Sequence, residues 1–248
     1  MRLTYITAAL VLCAAASPGY ASTPDDLTLT LALTSDYRFR GISQNDRSLA
    51  PQAQIDWKNE QGWSAGLWVS TVDFKDGEHT SYELDLFAAK AFELVGTELS
   101  ISLYYYAFPN HDSVPGGVRY SSFEAIVSAS RTFDRFTLSA TSSWSPDSFG
   151  QNGPAWTTTL GGSYELADWL TASGNLGQQW VPAWDSTPDS GYPYAYWDAG
   201  LTATKGPVSF DLRYVGTNLS PAECAFTQGN PNLCGGGVVA TVAFTHSL

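Results

Sequence analysis

Four leucines at alternate positions, Leu27, Leu29, Leu31 and Leu33, interleaved with Thr28, Thr30, Ala32 and Thr34, most narrow what this chain can become. Side chains on a strand point alternately to opposite faces, so the leucines share one face and the threonines the other. About twelve segments carry this beat, near 27–38, 50–58, 63–74, 81–92, 97–108, 120–133, 136–146, 155–166, 170–180, 193–205, 208–218 and 236–248. A closed sheet built this way has an oily outside and a wet inside. It is the one β architecture that crosses a bilayer, because lipid cannot satisfy a free strand edge. The fold expected is all-β: a transmembrane antiparallel up-and-down β-barrel of about 12 strands.

The connections alternate in length. Residues 59–62, 93–96, 134–135, 167–169 and 206–207 are short and turn-like, whereas 39–49, 75–80, 109–119, 147–154, 181–192 and 219–235 are longer and polar. Outer-membrane barrels keep short turns on the periplasmic side and long loops outside, and an even strand count places both termini at the turns. Aromatic residues gather at both ends. Trp57, Trp63, Phe92, Phe133, Phe136, Tyr164, Trp169 and Phe244 fall beside the short turns. Tyr37, Tyr105, Trp144, Trp156, Trp180, Trp197 and Tyr214 fall toward the long loops. Two such girdles match the two interfaces of a bilayer. A soluble β-sandwich also alternates, but segments of about ten residues suit a tilted membrane crossing, whereas globular strands run nearer five or six.

Residues 1–21 read as a secretory signal peptide: Arg2, an apolar run over 3–16, and small residues at Gly19 and Ala21. The run is too short to span, and no later stretch approaches the ~20 apolar residues of a transmembrane helix. Residues 22–248 are then one barrel domain, addressed to the bacterial outer membrane. Leu12, before Cys13, is not the small residue a lipoprotein site needs. The chain carries 12 basic and 24 acidic residues; loss of Arg2 moves the formal charge from −12 to −13. An acidic chain with no basic run excludes nucleic acid as the natural partner.

Removal of the signal leaves Cys224 and Cys234, flanking a polar, turn-rich stretch. In an oxidising compartment two such cysteines pair, and closing so short a loop stabilises by about 2–3 kcal/mol on a chain-entropy account. No His or further Cys lies near enough to complete a metal site, so no metal or cofactor is expected.

Parity assigns the lumen. Carrying the leucine face forward leaves Tyr37 and Phe39 toward lipid and turns Asp36, Arg38 and Arg40 inward near the outer mouth. The same counting places Gln52, Gln54 and Asp56 inside on the second strand, Glu83 and Asp85 on the fourth, and Glu98, Tyr104 and Tyr106 on the fifth. Glu124, Glu165, Tyr196 with Asp198, and Asp211 with Arg213 come next on later strands. Charge is expensive against lipid, so energy and parity agree. Acids outnumber bases, which predicts a mild cation preference; compatible with it is a second reading, in which Arg38, Arg40 and Arg213 pair with Asp36, Glu83 or Asp85 and brace the wall. Tyr104, Tyr106, Tyr196 and Trp68 either form a stacking track for ring-shaped solutes or fill space. Twelve strands lie between a filled and an open barrel, so any pore is narrow.

The run Ser35-Asp36-Tyr37-Arg38-Phe39-Arg40-Gly41-Ile42-Ser43-Gln44 resembles the N-terminal signature of the TorF-family porins of proteobacteria. The likeness continues through residues 66–74 and 83–86. It implies an outer-membrane pore, with no established substrate and no catalytic residues. One departure is the ending Phe244-Thr245-His246-Ser247-Leu248, where many outer-membrane barrels close on an aromatic residue.

Three functions are consistent with these residues. The first is passive diffusion of small polar solutes or ions through a barrel that contacts outer-membrane lipid and the barrel-assembly machinery. The second is a plugged structural or surface-interaction barrel, distinguished by outer loops that fold inward and by zero conductance. The third, a lipid-directed enzyme, has only His111-Asp112-Ser113 to recommend it, and loop neighbours two apart define no triad geometry. No enzyme is expected. His79 also falls in a long loop, and His246 has lipid-facing parity.

Overall fold

Alternation of this kind closes the chain into a ring. The computed structural model describes residues 26–75, 80–112, 119–181 and 192–248. The elements in chain order are β1 (Asp26–Thr34), β2 (Arg38–Phe39), β3 (Ile42–Ser43), β4 (Ala50–Lys58), β5 (Trp63–Thr71), β6 (Tyr82–Leu94) and β7 (Thr97–Ala107). A single helical turn, α1 (Pro109–Asp112), precedes β8 (Ser122–Phe133), β9 (Phe136–Ser145), β10 (Ala155–Ala167), β11 (Leu170–Trp180), β12 (Tyr194–Lys205) and β13 (Val208–Thr217). Helix α2 (Pro221–Gln228) and β14 (Gly237–Ser247) complete the chain.

All of the long strands belong to one closed barrel, in the order β1-β14-β13-β12-β11-β10-β9-β8-β7-β6-β5-β4, while β2 and β3 form a separate hairpin. Every neighbouring pair is antiparallel, and β1 closes on β14, with Thr28 opposite Ser247 and Thr34 opposite Thr241. The expected twelve crossings are present, nine to thirteen residues long.

The two faces arise directly from the sequence. Leu31 is 49% and Leu33 42% exposed on the outside, while Thr30 and Thr34 on the same strand are buried. The same contrast runs around the ring: Leu103, Leu138, Leu160, Leu176, Leu201 and Leu212 are exposed, while the alternate positions carry Ser, Thr, Gly and acids. An apolar outer belt around a polar interior is the surface a lipid-spanning barrel presents. The girdle aromatics Trp63, Phe133, Trp169, Trp144, Trp156 and Tyr214 are exposed.

Two differences from expectation matter. The first strand stops at Thr34 rather than reaching 38, so strand parity does not govern residues 35–47. Tyr37, expected in the outer girdle, is buried inside at 4% exposure, and Phe39 also packs inward. The second difference is α2, in a stretch expected to be loop. Its signal is present in the sequence: Ser220 caps the Glu223 amide while the Glu223 side chain accepts from the Ser220 amide, Pro221 opens the helix, and Gly229 ends it. The signal segment 1–21, His79 and Ser113 lie outside the described residues.

Candidate functional site

The site is made by the chain that leaves β1. Ser35 turns from the sheet while its amide still donates to Ala240 O and its hydroxyl accepts from the Ala240 amide. Residues 36–47 then fold as a hairpin into the barrel. Gln44 N donates to Tyr37 O, and Asn45 Oδ1 accepts from Tyr37 N. Gly41 sits at the tip with φ +84°, and a Cβ there would stand 2.7 Å from Gly216 O, so the turn requires glycine. Arg40 also has positive φ, 48°, a strained backbone sustained by the contacts of its side chain.

Arg40 spans the lumen. Its Nη1 and Nη2 donate to Glu124 Oε1 (2.8 Å) and Oε2 (2.6 Å), a bidentate pair with side chains 10% and 8% exposed. Nη2 also donates to Ser143 Oγ at 3.0 Å and Nη1 to Gln179 Oε1 at 3.3 Å. Those partners stand on β8, β9 and β11, and β9 lies directly across the ring from β1. Burial acts to lower the Arg40 pKa, but the adjacent Glu124 carboxylate outweighs it and raises it.

Aromatic rings seat the same hairpin on the other wall. Tyr37 packs edge-on to Trp68 (5.1 Å) and Phe39 to Tyr106 (5.6 Å). Tyr106 continues into Tyr104 (5.9 Å) and then Phe87 (5.1 Å), in near-parallel offset. Burial, and then the neighbouring Glu83 and Asp85, push the Tyr37 phenol well above its ordinary pKa.

A second charged network lies on β11–β13. Arg213 donates to Asp211 through Nε (2.6 Å) and Nη2 (2.7 Å) and to Asp198 Oδ1 through Nη1 (2.6 Å). Asn175 and Thr202 complete it, on Asp198 and Asp211 respectively. Between this network and the hairpin is a cavity of about 50 Å³ lined by Asp36, Arg38, Arg40, Gln52, Asp198 and Arg213 among others. That is room for a few water molecules.

Three clusters emerge among the residues expected inside: Asp36 with Arg38 (2.6 Å), Arg40 with Glu124, and Asp198 with Arg213 and Asp211. The expected bracing of the arginines by Glu83 or Asp85 is not what forms. Those two carboxyls are buried on β6 beside Tyr37 and have no ion pair among the described residues. Gln52 donates to Ser70 and Gln54 to Asp56; Asp56 and Glu98 stand near the short turns, away from the hairpin. Glu165 is half-buried near the same end. Cys224 and Cys234 form a disulfide. His111 is buried in the long-loop region, stacked on Tyr120 at 3.5 Å, and Phe74, Phe108 and Phe149 surround that ring. Ser143, Gln179 and Phe87 also belong to the site; each has inward parity but no charge to single it out in the sequence.

A family model described as "Bacterial protein of unknown function (Gcw_chp)" matches residues 19–246. No curated protein matches. Among solved structures, the COG4313 outer membrane channel from Pseudomonas putida F1 is similar over 94% of this chain and 100% of its own, with TM-score 0.56 and 10% identity. The KdgM porin, solved also in complex with disordered oligogalacturonate, is similar over 90% of this chain and 99% of its own, with TM-score 0.55 and 7% identity. These likenesses are of fold.

Proposed function

This chain belongs to the Gcw_chp family, whose description leaves function open, and from its geometry we propose an outer-membrane channel for small polar solutes and ions. The hairpin 36–47 constricts the channel, which prefers cations mildly. The observation that carries this reading is a closed twelve-stranded barrel with a hydroxyl-lined interior and, among the described residues, the hairpin 36–47 folded inward at its long-loop end. The resemblance to TorF-family porins and the channel fold of its structural relatives support it. So do the exposed apolar belt, which suits outer-membrane lipid, and the secretion signal read in residues 1–21, which would deliver the chain to the barrel-assembly machinery.

Within this reading Asp36, Arg38, Arg40, Glu83, Asp85, Glu124, Asp198, Asp211 and Arg213 are the wall of the constriction. Gln52, Gln54, Asp56, Glu98, Tyr104 and Tyr106 line the passage beside it. Six acids stand against three arginines at the constriction, the basis of the cation preference. The test is single-channel recording of the mature protein in a planar bilayer under a salt gradient. Discrete steps with a cation-leaning reversal potential are expected; an anion-leaning potential refutes the selectivity. A second reading, a plugged structural barrel, is favoured by the latch itself, since Arg40 ties the loop to the far wall. Silence from a folded, heat-modifiable barrel would establish it.

A further inference from the structure

The hairpin that crosses the lumen is held at its root by a different loop, the one closed by the disulfide. Arg38 Nη1 donates to the carbonyls of Leu233 (3.3 Å) and Gly235 (2.9 Å), besides Gly41 (3.0 Å) in its own turn. Arg47 reaches the same stretch from the solvent side, with Nε on Asn232 O (3.1 Å) and Nη2 on Gly235 O (3.0 Å). Ser43 N donates to Leu233 O at 2.9 Å. Ile42 packs in a buried cluster with Tyr194, Tyr196, Leu233 and both half-cystines. The root of the hairpin thus rests on four consecutive residues, 232–235, that belong to no helix or strand.

Four consecutive carbonyls of irregular chain hold a direction only if something fixes them. Here the fixing group is Cys234, bridged to Cys224 on the capped helix α2. Thr217 Oγ1 also donates to the Cys234 carbonyl at 3.0 Å. We propose that the Cys224–Cys234 bridge is the clasp of the lumen hairpin: by presenting the carbonyls of this stretch to Arg38 and Arg47 it keeps the hairpin across the barrel, and without it the hairpin leaves the lumen. Arg38 and Arg47 are positioning residues in this arrangement; they act through the loop they grip. Release of the hairpin stands on its own, and only the accompanying rise in conductance rests on the channel reading.

The test is hydrogen exchange on the full mature chain folded in detergent micelles, comparing wild type, Cys224→Ala with Cys234→Ala, and Arg47→Gln. In the double variant the Ser43 and Gln44 amides exchange at least about tenfold faster while barrel-strand amides keep their rates. In Arg47→Gln, which keeps the bridge, the same amides speed up by about threefold. Planar-bilayer recording of the double variant shows larger unitary steps than wild type. Exchange in residues 36–47 that stays within about twofold of wild type in both variants overturns the proposal. So does acceleration spread evenly over the strands, which marks general loosening. Should the double variant fail to insert, folded wild type whose bridge is reduced in the micelle by dithiothreitol takes its place, with the same amides read. Faster hairpin exchange with no conductance in any form leaves the clasp standing and removes the channel.

Discussion

Replacing Arg40 with Met tests the latch most directly. The substitution preserves length and apolar bulk and deletes the guanidinium, with its bidentate pair to Glu124 and its bonds to Ser143 and Gln179. Glu124 is left buried, with the Tyr106 hydroxyl at 3.4 Å as its remaining neighbour among those bonds. A buried charge stripped of its partner destabilises by about 3–5 kcal/mol, and lumen water that reaches Glu124 as the hairpin moves favours the low end, about 3. That shifts the balance of seated and released hairpin by about a hundredfold. Glu124→Leu has a similar effect because it strands Arg40. The double variant restores stability to within about 1 kcal/mol of wild type, since neither charge is then left alone. The assay is urea titration of the barrel in lipid vesicles, followed by tryptophan fluorescence, as a double-mutant cycle. Effects of the two single variants that add to within about 0.5 kcal/mol in the double would refute the argument, because two groups that share no interaction behave so.

Other outcomes rest on the same geometry. Gly41→Ala forces a side chain onto a left-handed backbone against Gly216 O, and is expected to lower unfolding free energy by about 1–3 kcal/mol in the same titration. Glu83→Gln with Asp85→Asn removes two of the six constriction acids, so the cation-to-anion permeability ratio read from reversal potentials falls, and an unchanged ratio would count against the selectivity. Tyr37, whose phenol pKa is raised in the folded loop, contributes stability that is complete below the ordinary phenol value of about 10 and is lost as pH rises above it. Wild type therefore loses stability relative to Tyr37→Phe between about pH 10 and 12 and not below; parallel curves across that window would contradict this.

The wall of the barrel was legible because it is a repeated local property. Alternation at Leu27, Leu29, Leu31 and Leu33 needs no distant partner to be read, and the same holds for Glu83 and Asp85 or Asp211 and Arg213 on later strands. The hairpin was not, for a reason visible in its own letters. Asp36-Tyr37-Arg38-Phe39-Arg40 alternates as well as any strand, so parity extends β1 and sends Tyr37 and Phe39 to lipid. What turns them inward is non-local: Trp68, Tyr106 and Glu124 are 31, 67 and 84 positions away from Tyr37, Phe39 and Arg40. The three arginines can be singled out by their charge, but which acid each meets depends on strand order around the ring. The disulfide could be inferred from compartment and count, whereas its partnership with Arg38 and Arg47 required the fold.

The hairpin's anchors are distributed along nearly the whole chain, from Trp68 on β5 to Gly235 just before β14. It can therefore seat only after almost every strand has been laid down. Contacts of such long sequence separation form late. The seam that closes the ring is longer still, with Thr28 opposite Ser247, 219 positions away, so the ring and its hairpin are completed together by the last stretch of the chain.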